Sequence, residues 1–201
     1  MIGWALFLLD KITRGPSSGV LSDSEIWDEF AYSDFDIHPL TTEQVQPASI
    51  DLRLGNDFKR LKANPGMETI DTSEDSEQSF ESFTDDSVVL QPGDCILGTT
   101  KEVVNMPAHL LGEIEGRSSL GRLFVEVHKT AGIIDPGFKG EITLELENCG
   151  PNPIKLHEGQ RVCQMIITRL NKPCEEPYGQ KKDTKYQGQT GATGSRLHQD
   201  A

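Results

Sequence analysis

The sequence predicts an all-β fold with a minor helix, arranged as a β-sandwich or barrel. Three observations carry that reading. Apolar and polar residues alternate with a period of two in several short stretches. Gly, Pro and Asn separate these stretches, as turn residues do. No helical pattern long enough for a crossover helix lies between them, which argues against a parallel sheet with helical connections.

Along the chain, residues 1–19 read as an extension ending in the linker Gly15-Pro16-Ser17-Ser18-Gly19. Ser22 with Glu25 three residues later forms a capping box, and Ile26 and Phe30 share a helical face, so a short helix is expected from Asp23 to Ala31. Ala48–Leu54 alternates strictly, as a half-buried strand does, and Gly55-Asn56 ends it. Glu68–Asp86 holds eight acidic residues and no basic one, which reads as a solvated loop rather than a metal site. After Pro92-Gly93, strands are expected at Cys95–Thr99, Leu110–Glu115, Leu123–Val127, Glu141–Glu147 and Val162–Leu170. From Asn171 the chain is polar and rich in Gly. Two readings of it stand, a disordered tail and a lid that orders over a ligand. The expected division is an extension (1–19), a β domain (20–170) and a tail (171–201).

Composition narrows the function classes. The 201 residues carry a net charge of -13, a field that repels polyanions and argues against nucleic acid as a partner. The longest apolar run, Ile2–Leu9, is too short to span a bilayer and lacks the basic flank of a signal peptide. No membrane association and a cytoplasmic location are therefore expected. Cys95, Cys149, Cys163 and Cys174 form no CxxC pair and read as reduced thiols.

Three clusters can carry chemistry. Gly116–Arg122 brings together Arg117, Ser118, Ser119, Leu120, Gly121 and Arg122, and its guanidinium forks and hydroxyls suit an anion such as a phosphate chain. A surface turn would look the same, and no GK[ST] follows to make a P-loop. Thr130–Glu141 contains Ala131, Gly132, Ile133 and Asp135, which fit either a β-turn capped by Asp135 or a pocket for a flat ring and a sugar. In Glu141–Glu147, Ile142, Leu144 and Leu146 share one face and Thr143 and Glu145 the other. Pattern alone favours Glu145 as a surface acid; against apolar pocket walls its pKa would rise and it could move protons. Zinc-dependent nucleobase deamination requires H-x-E and P-C-x-x-C, and neither occurs, so no zinc is expected. His128 has no second ligand at suitable spacing and reads as a packed or interface histidine.

Four segments, QPASIDLRLG (46–55), GRSSLGR (116–122), TAGIIDPGF with GEITLELEN (130–148), and PYG…KYQGQTG (177–191), together resemble the dCTP deaminase family, relatives of the trimeric dUTPases. The resemblance spans most of the chain from about residue 20, in order. It implies a distorted, jelly-roll-like β-barrel of dUTPase type, a homotrimer with active sites between subunits, and no zinc. Glu145 resembles the acid/base that activates water for attack at C4 of cytosine, with Ser118 and Arg122 orienting that water and stabilising charge. Asp135 matches the contact to the deoxyribose 3'-hydroxyl, and Ala131, Thr143, Leu144 and Glu145 match the base pocket. Arg117, Ser119, Leu120, Gly121, Gln164, Tyr178, Lys185 and Gln189 match nucleotide contacts, the last three from a closing tail. The expected substrate is dCTP with Mg2+ on its triphosphate, and dTTP is expected as a feedback inhibitor.

The resemblance has a deaminating branch and a bifunctional branch that also releases pyrophosphate to give dUMP. Gly132-Ile133 stands where the first often has TAHR and the second TAGF, and it favours the dUMP-forming branch, with Gly132 leaving room for a second water. The alternatives are a deaminase giving dUTP, a dUTPase, a non-catalytic nucleotide-binding protein, and a β-sandwich without a ligand. Phe138, where dUTPases place Tyr, and Arg122 count against the dUTPase.

Overall fold

The computed structural model describes residues 18–62 and 69–200; most of the 1–19 extension lies outside the described residues. Strands β1 (Gly19–Val20), β2 (Asp36–His38), β3 (Val45–Gln46) and β4 (Ser49–Leu61) surround helix α1 (Asp23–Tyr32) in the chain order. Next come β5 (Phe80–Thr84), β6 (Ser87–Leu90), β7 (Cys95–Asn105) and β8 (Leu110–Gly116). The short helix α2 (Ser118–Gly121) leads to β9 (Val125–Glu126), β10 (Ile133–Ile134), β11 (Lys139–Asn148), β12 (Ile154–His157) and β13 (Arg161–Arg169). The protein is mostly β with two helices, as the alternation predicts.

The main path of the large sheet runs β10-β8-β13-β4-β7-β11-β9, while β6 and β12 form a separate two-stranded sheet. The described pairings are antiparallel throughout. Strand β4 curls the sheet on itself. Its first half pairs with β13 and its second with β5 and β7, with a register shift between Leu54 and Phe58. Gly55-Asn56 therefore bends this strand rather than ending it. A Cβ at Gly55 would lie 2.6 Å from Thr99 Oγ1, so the absence of a side chain lets β4 cross β7 closely at the corner.

The core fills the inside of the curl. Ile142, Leu144 and Leu146 of β11 point inward beside Leu52, Leu54, Phe58, Ile96 and Met165, all buried. This is the apolar face that alternation assigns to β11. Helix α1 begins at the expected capping box, with the Glu25 carboxylate accepting the Ser22 N–H at 2.9 Å. That hydrogen bond holds the Glu25 pKa below its ordinary value.

The acidic segment is not wholly a solvated loop. Residues 71–75 are exposed, but Phe80–Thr84 pairs with β4 and Phe83 stacks on Phe58 with ring centroids 5.4 Å apart. Its polar composition conceals two aromatic residues that supply the burial the strand needs. The Leu123–Val127 strand shrinks to β9, because Phe124 takes the left-handed region (φ 61°) and leaves Leu123 and itself exposed. Among the described residues no helix is long and apolar enough to cross a membrane.

Candidate active site

The second face of β11 does not meet bulk solvent alone. Thr143 and Glu145 are half-buried and line a cavity of about 600 Å³ with Ala131, Ile133, Asp135 and Phe138. Glu145 Oε2 accepts the Lys129 backbone N–H at 3.1 Å, which fixes the carboxylate against the loop before β10. The Lys129 ammonium is engaged next door. It donates to Glu126 at 2.7 Å and contacts Glu147. The hydrogen bond lowers the Glu126 pKa and raises that of Lys129, keeping both charged. Glu126, Glu147 and Cys149 bring three donor atoms together, and the Lys129 ammonium bridges the two carboxylates.

The tail supplies the far wall through Tyr178, Tyr186, Gln189 and Thr193. Tyr178 packs edge-on to Phe138, centroids 6.0 Å apart, and its hydroxyl accepts the Tyr186 N–H at 3.1 Å. Gln189 is tied to β11: its Nε2 donates to the Glu141 carbonyl at 2.6 Å and its carbonyl accepts the Glu141 N–H at 3.0 Å. Its Oε1 is buried with no partner among the described residues, an acceptor available to a ligand donor. Lys185 lies elsewhere, with its ammonium paired to Asp200.

A second cleft of about 350 Å³ holds Arg117, Ser118, Ser119 and Gln164 beside Gln46–Ser49 and Asp51. Asp51 is buried and binds Arg117 Nε at 3.3 Å and Arg161 Nη1 at 3.1 Å, which orients the Arg117 guanidinium at the cleft. The two clefts share no lining residue. β4 and β7 separate the strands that carry Gln164 and Glu145 in the sheet order.

The expected site residues therefore fall into two groups within one chain. Ala131, Ile133, Asp135, Thr143, Glu145, Tyr178 and Gln189 share the first cavity, and Arg117, Ser118, Ser119 and Gln164 share the second. Arg122 is exposed and Gly121 open, outside both. The Leu120 and Leu144 side chains are buried in the core and line neither cleft, because inward alternation claims Leu144 and the buried side of α2 claims Leu120. Gly132 faces away from the cavity: a Cβ there would meet the Ile114 carbonyl at 2.9 Å and the His128 ring at 3.4 Å. His128 Nδ1 is buried without a partner among the described residues. The sequence reading missed Phe80, Leu97, Tyr186 and Thr193 as cavity residues. Only Tyr186 stood in a motif that could have flagged it.

The dCTP deaminase-like family matches residues 20–170. The chain is 45% identical to the dCTP deaminase of Natronomonas pharaonis, over 90% of this chain and 96% of that protein. It is 46% identical, with the same shares covered, to a dCTP deaminase of Halobacterium salinarum that is described as dUMP-forming. Among solved structures, the 2'-deoxycytidine 5'-triphosphate deaminase of Agrobacterium tumefaciens superposes with a TM-score of 0.61 at 27% identity. That alignment covers 77% of this chain and 49% of the other, about half its length. The chain belongs to the dCTP deaminase-like family.

Proposed function

We propose that this protein hydrolyses dCTP at C4 without zinc and carries the product on to dUMP. The observation that carries the reading is the placement of Glu145, a half-buried carboxylate on the wall of a cavity that also holds Asp135, Thr143 and Gln189. Glu145 takes a proton from a water whose oxygen bonds to C4, delivers it to N3, and moves a second proton to the amino group. The C4–N4 bond breaks, ammonia leaves, and dCTP plus water becomes dUTP plus ammonia. A second water then displaces pyrophosphate to leave dUMP.

The two-cleft arrangement supports a homotrimer in which each site joins the Glu145 cavity of one subunit to the Arg117 cleft of another. In that arrangement Ser118 and Arg122 of the second subunit orient the water and stabilise charge on the ring. Arg117, Ser119 and Gln164 meet the phosphates, while Asp135 meets the sugar and Tyr178 and Gln189 close the site. Lys185 joins the phosphate contacts by leaving Asp200. Mg2+ enters with the triphosphate as part of the substrate, which offsets the repulsion between dCTP and a chain of net charge -13. dTTP, sharing sugar and triphosphate, competes at the same contacts. Four free cysteines suit a cytoplasmic setting. Residues 20–170 are read as the catalytic domain, 171–201 as its lid and 1–19 as an extension.

Relatives of nearly equal identity differ in whether dUMP is named as product, so the dUMP assignment rests on Gly132-Ile133. Ile133 faces the cavity whereas Gly132 backs onto His128, and Ile133 is the better position to probe. Incubation with Mg·dCTP and separation of nucleotides over time tests the whole reading. Direct appearance of dUMP with little free dUTP is expected. Accumulating dUTP would remove the second step, and no conversion would favour a nucleotide-binding protein.

A further inference from the structure

Three successive backbone N–H groups of the tail end on side chains of the barrel. Glu141 Oε2 accepts the Gly191 N–H at 2.6 Å, Asp57 Oδ1 the Ala192 N–H at 2.7 Å, and Thr143 Oγ1 the Thr193 N–H at 3.2 Å. Two of these acceptors belong to β11, which carries Glu145. Asp57 alone belongs to β4, just past the Gly55 corner, so it ties the tail to a second strand of the barrel. The fit is close. Gly191 sits at φ +70°, and a Cβ there would lie 3.0 Å from Asp57 Oδ1. Further along, Gly194 packs on Phe80 and Ser76 Oγ donates to the Ser195 carbonyl at 3.3 Å, so the start of β5 and the turn before it also meet the tail.

We propose that Asp57 is a positioning residue for the reaction, holding the Gly191–Thr193 segment down so that Tyr186, Gln189 and Thr193 wall the cavity. Asp57 lines neither cleft and acts through the tail's backbone. The role rests on the reading of that cavity as the dCTP site. What it requires of residue 57 is an acceptor oxygen rather than a charge, because its partner is a neutral amide. A wall that contacts the bound nucleotide in ground and transition states alike contributes to KM more than to kcat.

The test compares Asp57→Ala, Asp57→Asn and Gly191→Ala with the parent protein by Mg·dCTP kinetics and amide hydrogen exchange. Asp57→Ala is expected to raise KM about tenfold or more with kcat changed by less than about threefold, and to speed exchange across residues 190–195. Asp57→Asn keeps the acceptor and is expected to restore both readouts. Gly191→Ala breaks the contact from the tail side, leaves the barrel untouched, and is expected to reproduce Asp57→Ala. Unchanged exchange and KM in both alanine variants would overturn the proposal, as would an Asn variant as impaired as the Ala one. Exchange needs no turnover. If the parent protein leaves dCTP unconverted while exchange responds as expected, the reading of the cavity fails and the Asp57 contact stands apart from it.

Discussion

Glu145 owes its position to the pleat of one strand. Leu144 and Leu146 are drawn into the core, and the residue between them is turned to the other face, where the tail and β10 have built a cavity. The Lys129 N–H holds its carboxylate in place, while the Lys129 ammonium is held by Glu126 and Glu147 and leaves Glu145 without a direct counter-ion at that side. A general acid/base in this position supplies on the order of 10²–10⁴-fold. Glu145→Gln is expected to lower kcat by that amount while circular dichroism and thermal unfolding stay unchanged. Retention of full activity would remove Glu145 from the mechanism.

At the scale of elements, α1 depends on its capping box. Removing such a cap destabilises a protein by about 0.5–2 kcal/mol, the loss expected for Ser22→Ala in urea denaturation. Glu25 has a folded-state pKa below its unfolded one. Its contribution is therefore complete above the ordinary carboxylate pKa and lost as pH falls through the lowered value. The gap between the parent and Glu25→Ala should accordingly be wide near neutrality and close in acid. Phe58, fully buried against Phe83 where β4 turns from one partner to another, is the strand's main anchor. Phe58→Ala is expected to cost about 3–5 kcal/mol.

These elements also mark how far the sequence could be read. The period-two alternation of β11 and the box at α1 are local signals, and both appear as expected. The continuation of β4 past Gly55 is not local, because it depends on how near β7 approaches. β5 was hidden for a similar reason: Phe80 and Phe83 count for little in a polar stretch until a partner strand offers them Phe58. In the site, motif resemblance named seven of the sixteen residues that line the Glu145 cavity. It could not tell that Arg117 and Glu145 lie in separate clefts of one chain, since that separation is a property of strand order. The tail's ties to Asp57, Glu141 and Thr143 were illegible because their donors are backbone amides, which leave no mark in side-chain pattern.

For the whole molecule, the division into two clefts has the largest consequence. A strongly acidic chain places Arg117 in one cleft, paired with a buried Asp51 that also binds Arg161. Glu145, the proposed acid/base, shares the other cavity with Asp135 and Thr143. Neither cleft alone holds both the Arg117 guanidinium and the Glu145 carboxylate, and the proposal that each site joins two subunits follows from that division. The direct measurement mixes two inactive variants, Arg117→Ala and Glu145→Gln, by co-expression and assays ammonia release from Mg·dCTP. If each site joins two subunits as proposed, mixed assemblies contain sites with both halves intact, and activity should recover to roughly a quarter of the parent level. Activity no greater than that of either variant alone would mean that the two groups do not work in one shared site, and the account of this protein as a deaminase assembled between subunits would be wrong.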